Sequence, residues 1–586
     1  MGGNRNGTDR GLPDTGQSKD GADHRRGTGG AASDVFDVEE ALKKALDHHR
    51  AVRLDEEQDL YQSVLQAEPD QADALNLLGV LVYEGGDAVE AIKLIRRAIA
   101  INAREAHYYT NLGNALYAAA RLDEAVTVYR QGIALDPEGP KVHNNLGNVL
   151  LAQGKLLEAL TSYRRALALD PDYLSALNNC GNALQAQGLW DEAVASYRRA
   201  LMINPTFADA LANLGNLLHI QGKPADAEQA MRRAIEIEPD SAMTRSNLGT
   251  LLKDLGRYEE AEESLKRALA IDPDYAPAKT NLATLLFLHG DFGRAWPLLA
   301  VRRAAREITQ EPWQKPLPAD LRGRRILVLK EQGLGDEIFF LRFAPELKRR
   351  GAEITYLADA KIRSIIARLP FIDRVMGEGE ESEEQDITLA VGDLPLVLGM
   401  GSTDIPPPYP LPIAPHRTEV MEKRLQRLGP PPYIGVTWQA GRPKRPDVEF
   451  KLAPLDEIAK ALRPTAATFL GLQRAPKAGE IGQLSAGLGR QVHDFTALND
   501  ELEDMIALLS LLDEYVTVSN TNVHLRLGVG RTSRVLVPHP PDYRWMAEGD
   551  ESPWFPGCTV YRQGTDGDWD RAFAALARDL AEAFGV

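Results

Sequence analysis

Cysteine is nearly missing from this chain of 586 residues, which has only Cys180 and Cys558. Two thiols are too few for a disulfide framework or a thiolate metal site. No continuous apolar stretch approaches membrane-spanning length. Basic residues are in deficit: 67 Lys+Arg stand against 84 Asp+Glu, a formal charge of −17. The acidity runs through both halves, so the balance argues against broad attraction to nucleic acid or an anionic membrane, and any anion site must come from local clustering. What is present, 44% hydrophobic and 26% charged residues, is ordinary for globular protein. The length exceeds what one core holds. The expectation is a soluble, cytoplasmic, multi-domain protein without integral membrane association.

Residues 1–34 are rich in Gly, Asp, Arg and Ser and should stay disordered. Met1-Gly2 does not lead into a myristoylation signal, because Asn6 stands where Ser or Thr is needed. Arg25-Arg26 has no apolar region behind it, which argues against a secretion signal.

The next stretch repeats itself. Gly79, Gly113, Gly147, Gly181, Gly215 and Gly249 are spaced 34 residues apart, and Ala283 continues the series. Ala91, Ala125, Ala159, Ala193, Ala227, Ala261 and Ala295 follow each by 12 positions. Pro69, Pro137, Pro171, Pro205, Pro239 and Pro273 mark repeat ends. Small residues let two antiparallel helices approach closely, and proline stops the second helix before the next unit. Period and placement resemble the tetratricopeptide repeat, a helix–turn–helix unit. About seven or eight units fit residues 38–309, an α-solenoid whose end repeats are degenerate.

A second column lies inside the first. Asn111, Asn145, Asn179, Asn213, Asn247 and Asn281 hold one repeat position, and Asn114, Asn148, Asn182 and Asn216 sit three residues on, on the same helix face. Elsewhere the copies diverge freely, as at Asp87, Arg121, Lys155 and Leu189. An asparagine amide both donates and accepts, so such a column can grip an extended peptide backbone whatever its sequence. The alternatives are a copied surface residue, or asparagines that bridge neighbouring repeats. The Asn-Leu-Gly-Asn pattern resembles the superhelix of protein O-GlcNAc transferases. That resemblance implies that these asparagines hold a protein substrate.

After Trp296-Pro297 the period fades, and 310–323 reads as a proline-containing linker. Short β-branched runs then alternate with helical stretches: 326–329, 354–357 and 387–391, then 434–438, 468–472, 515–518, 535–537 and 559–561. This pattern implies two parallel sheets flanked by helices, with a boundary in the proline-rich stretches at 406–415 and 430–432 and a closing helix over 568–584. The acidic run 378–386 reads as a solvated loop. Paired doubly wound domains take ligands at the strands' carboxyl ends.

Three places offer chemistry there. The first strand enters Gly333-Leu334-Gly335-Asp336, a glycine-rich turn without the third glycine of a dinucleotide fingerprint or the Gly-Lys-Ser/Thr of a phosphate loop. Asp336 opens the following helix, either as an N-cap or as a base facing the cleft. Val518-Ser519-Asn520-Thr521 delivers small polar residues to a helix start, a natural seat for phosphate. His524 lies one turn in, as a ligand contact or a packed ring. Cations follow two strand ends: Arg442, Lys444, Arg445 and Lys451, then Arg474 and Lys477, with Lys451 and Arg474 the foremost candidates to meet an anionic ligand. Asp566-Gly567-Asp568 matches a metal-binding Asp-x-Asp only superficially, since it precedes the terminal helix in a polar turn. No metal site is expected.

Gly335-Asp336, the segment from Gly441 to Lys451, Gln473, the Ser519–Leu525 turn, and Pro541-Asp542-Tyr543-Arg544-Trp545 with Glu551-Ser552-Pro553-Trp554-Phe555-Pro556 resemble bacterial glycosyltransferases of the heptosyltransferase-like group. The resemblance implies a GT-B fold, with an acceptor-side Rossmann-like domain over 324–411 and a nucleotide-sugar-side domain over 431–586. It also implies metal-independent transfer with Asp336 as base, and a donor site of Gly335, Lys451, Gln473, Arg474, Ser519, Asn520, Thr521 and His524. Asn520 departs from the aspartate common in that group, which leaves the donor open. Repeats followed by such a unit resemble bacterial protein glycosyltransferases that modify flagellin. There the resemblance implies transfer of a nonulosonic acid, such as pseudaminic acid from its CMP form, to Ser or Thr of a captured protein. No cofactor beyond the nucleotide-sugar co-substrate is implied. A glycan or lipopolysaccharide transferase, and a repeat scaffold with a decayed transferase domain, are the alternatives.

Overall fold

The computed structural model describes residues 38–50, 54–299, 315–330, 333–380, 384–400, 405–440 and 452–585. The segment expected to be disordered, 1–34, and the basic run from Arg442 to Lys451 lie outside the described residues.

Helices of 13 and 14 residues alternate through the repeats, as in Ala106–Ala118 with Leu122–Leu135 and Pro140–Ala152 with Leu156–Leu169. Eight helix pairs span the described residues from Val38 to Leu299. The glycine column has a steric cause. A Cβ on Gly113 would stand 2.4 Å from the Tyr129 ring, and one on Gly147 or Gly181 2.5 Å from Tyr163 or Tyr197. Each tyrosine therefore packs into the gap left by a missing side chain. Its hydroxyl then donates to an asparagine on the facing helix: Tyr129 to Asn114 at 2.6 Å, Tyr163 to Asn148 at 2.8 Å and Tyr197 to Asn182 at 2.6 Å. Between the helices of one pair, Gly188 turns the chain at φ +79°, a conformation costly for residues with a Cβ.

By packing, the chain forms two compact units that divide between Pro239 and Asp240. Among the described residues, the first unit contains repeats alone. The second contains the helix pairs Ala242–Asp254/Tyr258–Ile271 and Ala276–Leu288/Phe292–Leu299 together with everything described beyond them. The sequence pattern of repeats stops near residue 309; the packing boundary lies two repeats earlier.

The rest of the second unit is built on two parallel sheets. The first contains β1 (Arg325–Leu329), β2 (Glu353–Leu357), β3 (Arg374–Met376) and β4 (Ile387–Ala390) in the order β3-β2-β1-β4. The second contains β5 (Tyr433–Thr437), β6 (Thr468–Gly471), β7 (Val492–Asp494), β8 (Glu514–Val518), β9 (Arg534–Val537) and β10 (Thr559–Arg562) in the order β10-β9-β8-β5-β6-β7. Both orders are doubly wound: the chain works outward from one strand, returns, and continues on its other side. The switch points fall between β1 and β4, and between β5 and β8. Central strands such as β5 and β8 are buried nearly throughout, as parallel strands covered on both faces should be. The helix Asp570–Phe584 closes the second sheet through Phe573, Leu576 and Leu580.

Two linking segments join these bodies closely. In the segment from 315 to 323, Leu317 and Leu321 are buried, and their N–H groups donate to Val397 O (2.7 Å) and Arg350 O (2.8 Å) of the first sheet's layer. Within the first proline-rich stretch Leu411 N donates to Gly528 O at 2.7 Å, and past it the Arg424 guanidinium lies 4.0 Å over the Phe495 ring.

Candidate functional site

The ends of β1 and β8 converge. Gly333, at φ +87°, takes the N-cap place of the helix Leu334–Leu341, so Asp336 sits inside the first turn rather than at the cap. A Cβ on Gly335 would stand 3.4 Å from His524 Cδ2 and 3.5 Å from His524 Nε2 and Thr521 Oγ1. The glycine-rich turn after β1 thus lies against the helix start after β8, and the two switch points share one junction.

Asp336 at this junction is ion-paired with Arg544, which comes from the loop beyond β9. Arg544 also faces Asp542 at 3.7 Å and lies 5.2 Å over Phe339 and 5.0 Å over Tyr543. Burial works against its charge, yet Tyr543, Asp542 and Asp336 outweigh burial and hold the guanidinium above its ordinary value. A second buried cation, Arg342, donates to Phe339 O and Trp554 O, both at 2.9 Å. Burial, then repulsion from Arg544, lowers it to about 9.

The remaining candidates differ in what engages them. His524 is buried between Phe339 and Phe555, at 5.6 and 5.0 Å between ring centroids. Burial first, then Arg544 and Arg342, hold the imidazole well below its ordinary value, so it is neutral near pH 7. Asn520 caps its own helix: Oδ1 accepts from Asn522 N (2.9 Å) and Val523 N (3.3 Å), and Nδ2 donates to Thr517 Oγ1 at 2.7 Å. Ser519 and Thr521 flank it, half-buried. Gln473 is buried and fastens the end of β5, accepting from Trp438 N (3.2 Å) and Gln439 N (2.9 Å) and donating to Gln439 O (3.0 Å). Arg474 beside it is exposed, near enough to Asp500 to lower that carboxyl after Lys361. Lys451 lies outside the described residues. Asp566 and Asp568 accept the backbone N–H groups of Asp568 and Asp570 at 3.1 and 3.2 Å, the turn-forming arrangement.

Glu337, adjacent to Asp336, is buried and accepts from Asp359 N at 3.3 Å. Burial above all raises its carboxyl to about 7. The sequence hides it, because an acid in a helix's first turn is what the dipole favours anyway. Arg544 and Arg342 are likewise absent from the residues that spacing singles out, although Arg544 stands in the Pro541–Trp545 run.

An aromatic cluster backs the junction. Trp554 meets Phe339 at 5.2 Å, Phe292 at 4.7 Å and Trp296 at 6.1 Å, while Phe287 meets Tyr543 at 5.0 Å. Phe287, Phe292 and Trp296 belong to the last helix pair of the repeats. Ala547 N also donates to Leu288 O at 3.0 Å.

In the repeats, the asparagine column bridges neighbouring units. Asn111 Nδ2 donates to Asn76 Oδ1 at 3.1 Å, Asn145 to Asn114 at 2.9 Å and Asn213 to Asn178 at 2.9 Å. Asn179 donates to both Asn144 (3.1 Å) and Asn148 (3.0 Å), and Asn281 to Ser246 Oγ (3.3 Å) and Thr250 Oγ1 (2.8 Å). Asn247 is half-buried on the helix Ala242–Asp254. All six column members remain half-buried rather than sealed in the core.

Comparison with known proteins agrees on the repeats. Profiles described as TPR repeat match residues 113–154, 147–188 and 186–222, and tetratricopeptide-repeat profiles match 38–106, 208–241 and 242–275. The chain carries tetratricopeptide repeats across this region. Protein FlbA of Caulobacter vibrioides is 24% identical over 285 residues, covering 45% of this chain and 47% of that protein. The match therefore spans about half the length of that curated relative. Among solved structures, a thermophilic TPR protein of Thermus thermophilus is 24% identical, covering 31% of this chain and 98% of its own, with a TM-score of 0.29. A tetratricopeptide repeat protein from Parabacteroides merdae is 16% identical, covering 42% and 98%, with a TM-score of 0.38. No described helix is long and apolar enough to cross a membrane.

Proposed function

We propose that this protein is a cytoplasmic, metal-independent GT-B glycosyltransferase. It moves a sugar from a nucleotide donor to Ser or Thr of a protein held by its repeats, flagellin with a nonulosonic acid such as pseudaminic acid being the foremost case. The observation that carries the reading is the junction itself, where the turn bearing Gly335 and Asp336 meets Thr521 and His524 across two switch points. Asp336 takes the proton of the acceptor hydroxyl, whose oxygen attacks the anomeric carbon as the nucleotide phosphate leaves. The Ser519–Thr521 helix start, with Lys451 and Arg474, receives that phosphate. Gln473 and Asn520 act by shaping the donor side, because their amides are engaged in holding β5 and the helix Thr521–Gly528.

The repeats supply the acceptor. Column asparagines such as Asn111, Asn179 and Asn213 donate through Nδ2 to the preceding repeat, which leaves Oδ1 to accept from a bound chain's backbone N–H groups. Capture at this face raises the acceptor's local concentration.

The test is incubation with flagellin and candidate nucleotide sugars, CMP-linked ones first, with mass spectrometry of the acceptor. Wild type should add mass and Asp336→Ala should lose at least about a hundredfold in rate. Equal transfer by both proteins removes Asp336 as base. No transfer from any donor favours the scaffold reading, which one observation supports: the candidate base is held by Arg544. Transfer to a glycan acceptor without the repeats would instead favour a glycan or lipopolysaccharide enzyme.

A further inference from the structure

The ion pair at the junction gives the site an order of events. A carboxylate paired with a guanidinium is held in its charged form and is a poor proton acceptor. Asp336 is paired in this way here. Arg544 is not fully occupied by the pairing. Its Nε is buried without a hydrogen-bond partner, and its contact to Asp542 at 3.7 Å is longer than a hydrogen bond. The Phe339 and Tyr543 rings lie 5.2 and 5.0 Å from the guanidinium carbon, and the Tyr543 hydroxyl also engages the guanidinium. The loop bearing it continues from β9, neighbour of β8, so it approaches the same helix start where a donor phosphate would sit. Guanidinium binds phosphate oxygens by paired N–H donors, as it binds carboxylate.

We propose that Arg544 exchanges partners during binding. Without donor it holds Asp336; when a nucleotide phosphate enters the junction, the guanidinium turns to the phosphate and Asp336 is released to act on the acceptor. This rests on the transferase reading above and adds the residue and sequence by which the donor arms the base. Arg544 is then a donor-binding residue, distinct from the exposed Arg474.

Titration calorimetry of the full chain with CMP, UDP and GDP tests the exchange, with thermal unfolding as a check on each variant. Wild type should bind at least one nucleotide. Asp336→Asn should bind it about tenfold more tightly, because the competing carboxylate is gone. Arg544→Ala should bind at least tenfold more weakly, with Arg544→Lys between them. Tighter binding by Asp336→Asn needs no arginine variant to fold, so an unfolded Arg544→Ala leaves a decisive arm. Weaker or unchanged binding by Asp336→Asn overturns the exchange, as does wild-type affinity in a folded Arg544→Ala. If wild type binds no nucleotide, the transferase reading falls and this proposal falls with it. Failure of the variants alone leaves that reading standing.

Discussion

The repeats and the two-sheet body use the same side chain in opposite ways. In the repeats asparagine recurs by column, and Asn111, Asn145, Asn179 and Asn213 each hand an amide hydrogen to the preceding unit. In the body Asn520 occurs once and closes a single helix start. Recurrence marks a position as useful while leaving open what it touches. A single occurrence marks nothing, yet it stands where two switch points meet. The repeats distribute their stabilising contacts along the chain; the body gathers cation, carboxylate, ring and turn into one place.

The largest effect should come from cutting the chain at its apparent seam instead of its packed one. A protein beginning at Asp240 keeps Phe287, Phe292 and Trp296 against Trp554 and should unfold cooperatively, as followed by circular dichroism in urea. One beginning at Lys315 exposes that cluster and should fail to fold. Trp554→Ala in the full chain tests the same contact more gently, at about 3–5 kcal/mol. A stable Lys315 start would make the repeats separable after all.

Next comes Glu337. Burial lifts its folded-state value from 4.5 to about 7. A raised value means the stabilisation is complete below the unfolded value and is lost as pH climbs toward the folded one. Wild-type stability should therefore fall from about pH 4.5 to about pH 7, whereas Glu337→Gln should be flatter there. By pH 8 the variant should be more stable by on the order of 3 kcal/mol, read from urea midpoints. Parallel pH curves would show that Glu337 is solvated.

The glycines sharpen the contrast directly. Gly147→Ala drives a methyl to within 2.5 Å of Tyr163 and should cost about 1–3 kcal/mol. Gly335→Ala meets His524 at 3.4 Å, an accommodating distance, and should shift stability by less than about 0.5 kcal/mol while reducing nucleotide binding. Equal destabilisation would make both glycines packing residues. Among the substitutions that remove a contact, the smallest effect belongs to Asn179→Ala, which takes away two inter-repeat bonds at an expected cost of about 1 kcal/mol in thermal unfolding.

The repeats were legible because Gly113, Tyr129 and their copies must fit each other every turn of the period. The long central strands were legible for a similar reason, as runs of buried β-branched residues. Strands β3 and β7 were not, since Arg-Val-Met and Val-His-Asp are too short to show a pattern. At the junction, Asp336 and the Ser519–His524 turn followed from strand-to-helix grammar. Arg544 did not, because it reaches its partner across 208 residues of chain. Nor did the role of Gln473, whose polarity suggests a ligand and whose bonds fasten β5. The seam at Pro239 was invisible to periodicity, because the repeats on either side of it are written alike.

That seam bears on how such a chain can change over generations. Upstream of it, every unit leans only on its neighbours, so slippage during copying can insert or delete whole units of the period with little penalty. Downstream, the last two units are a foundation, fixed by what is built on them. The lineage can edit the length of its array in whole steps, and from one end only.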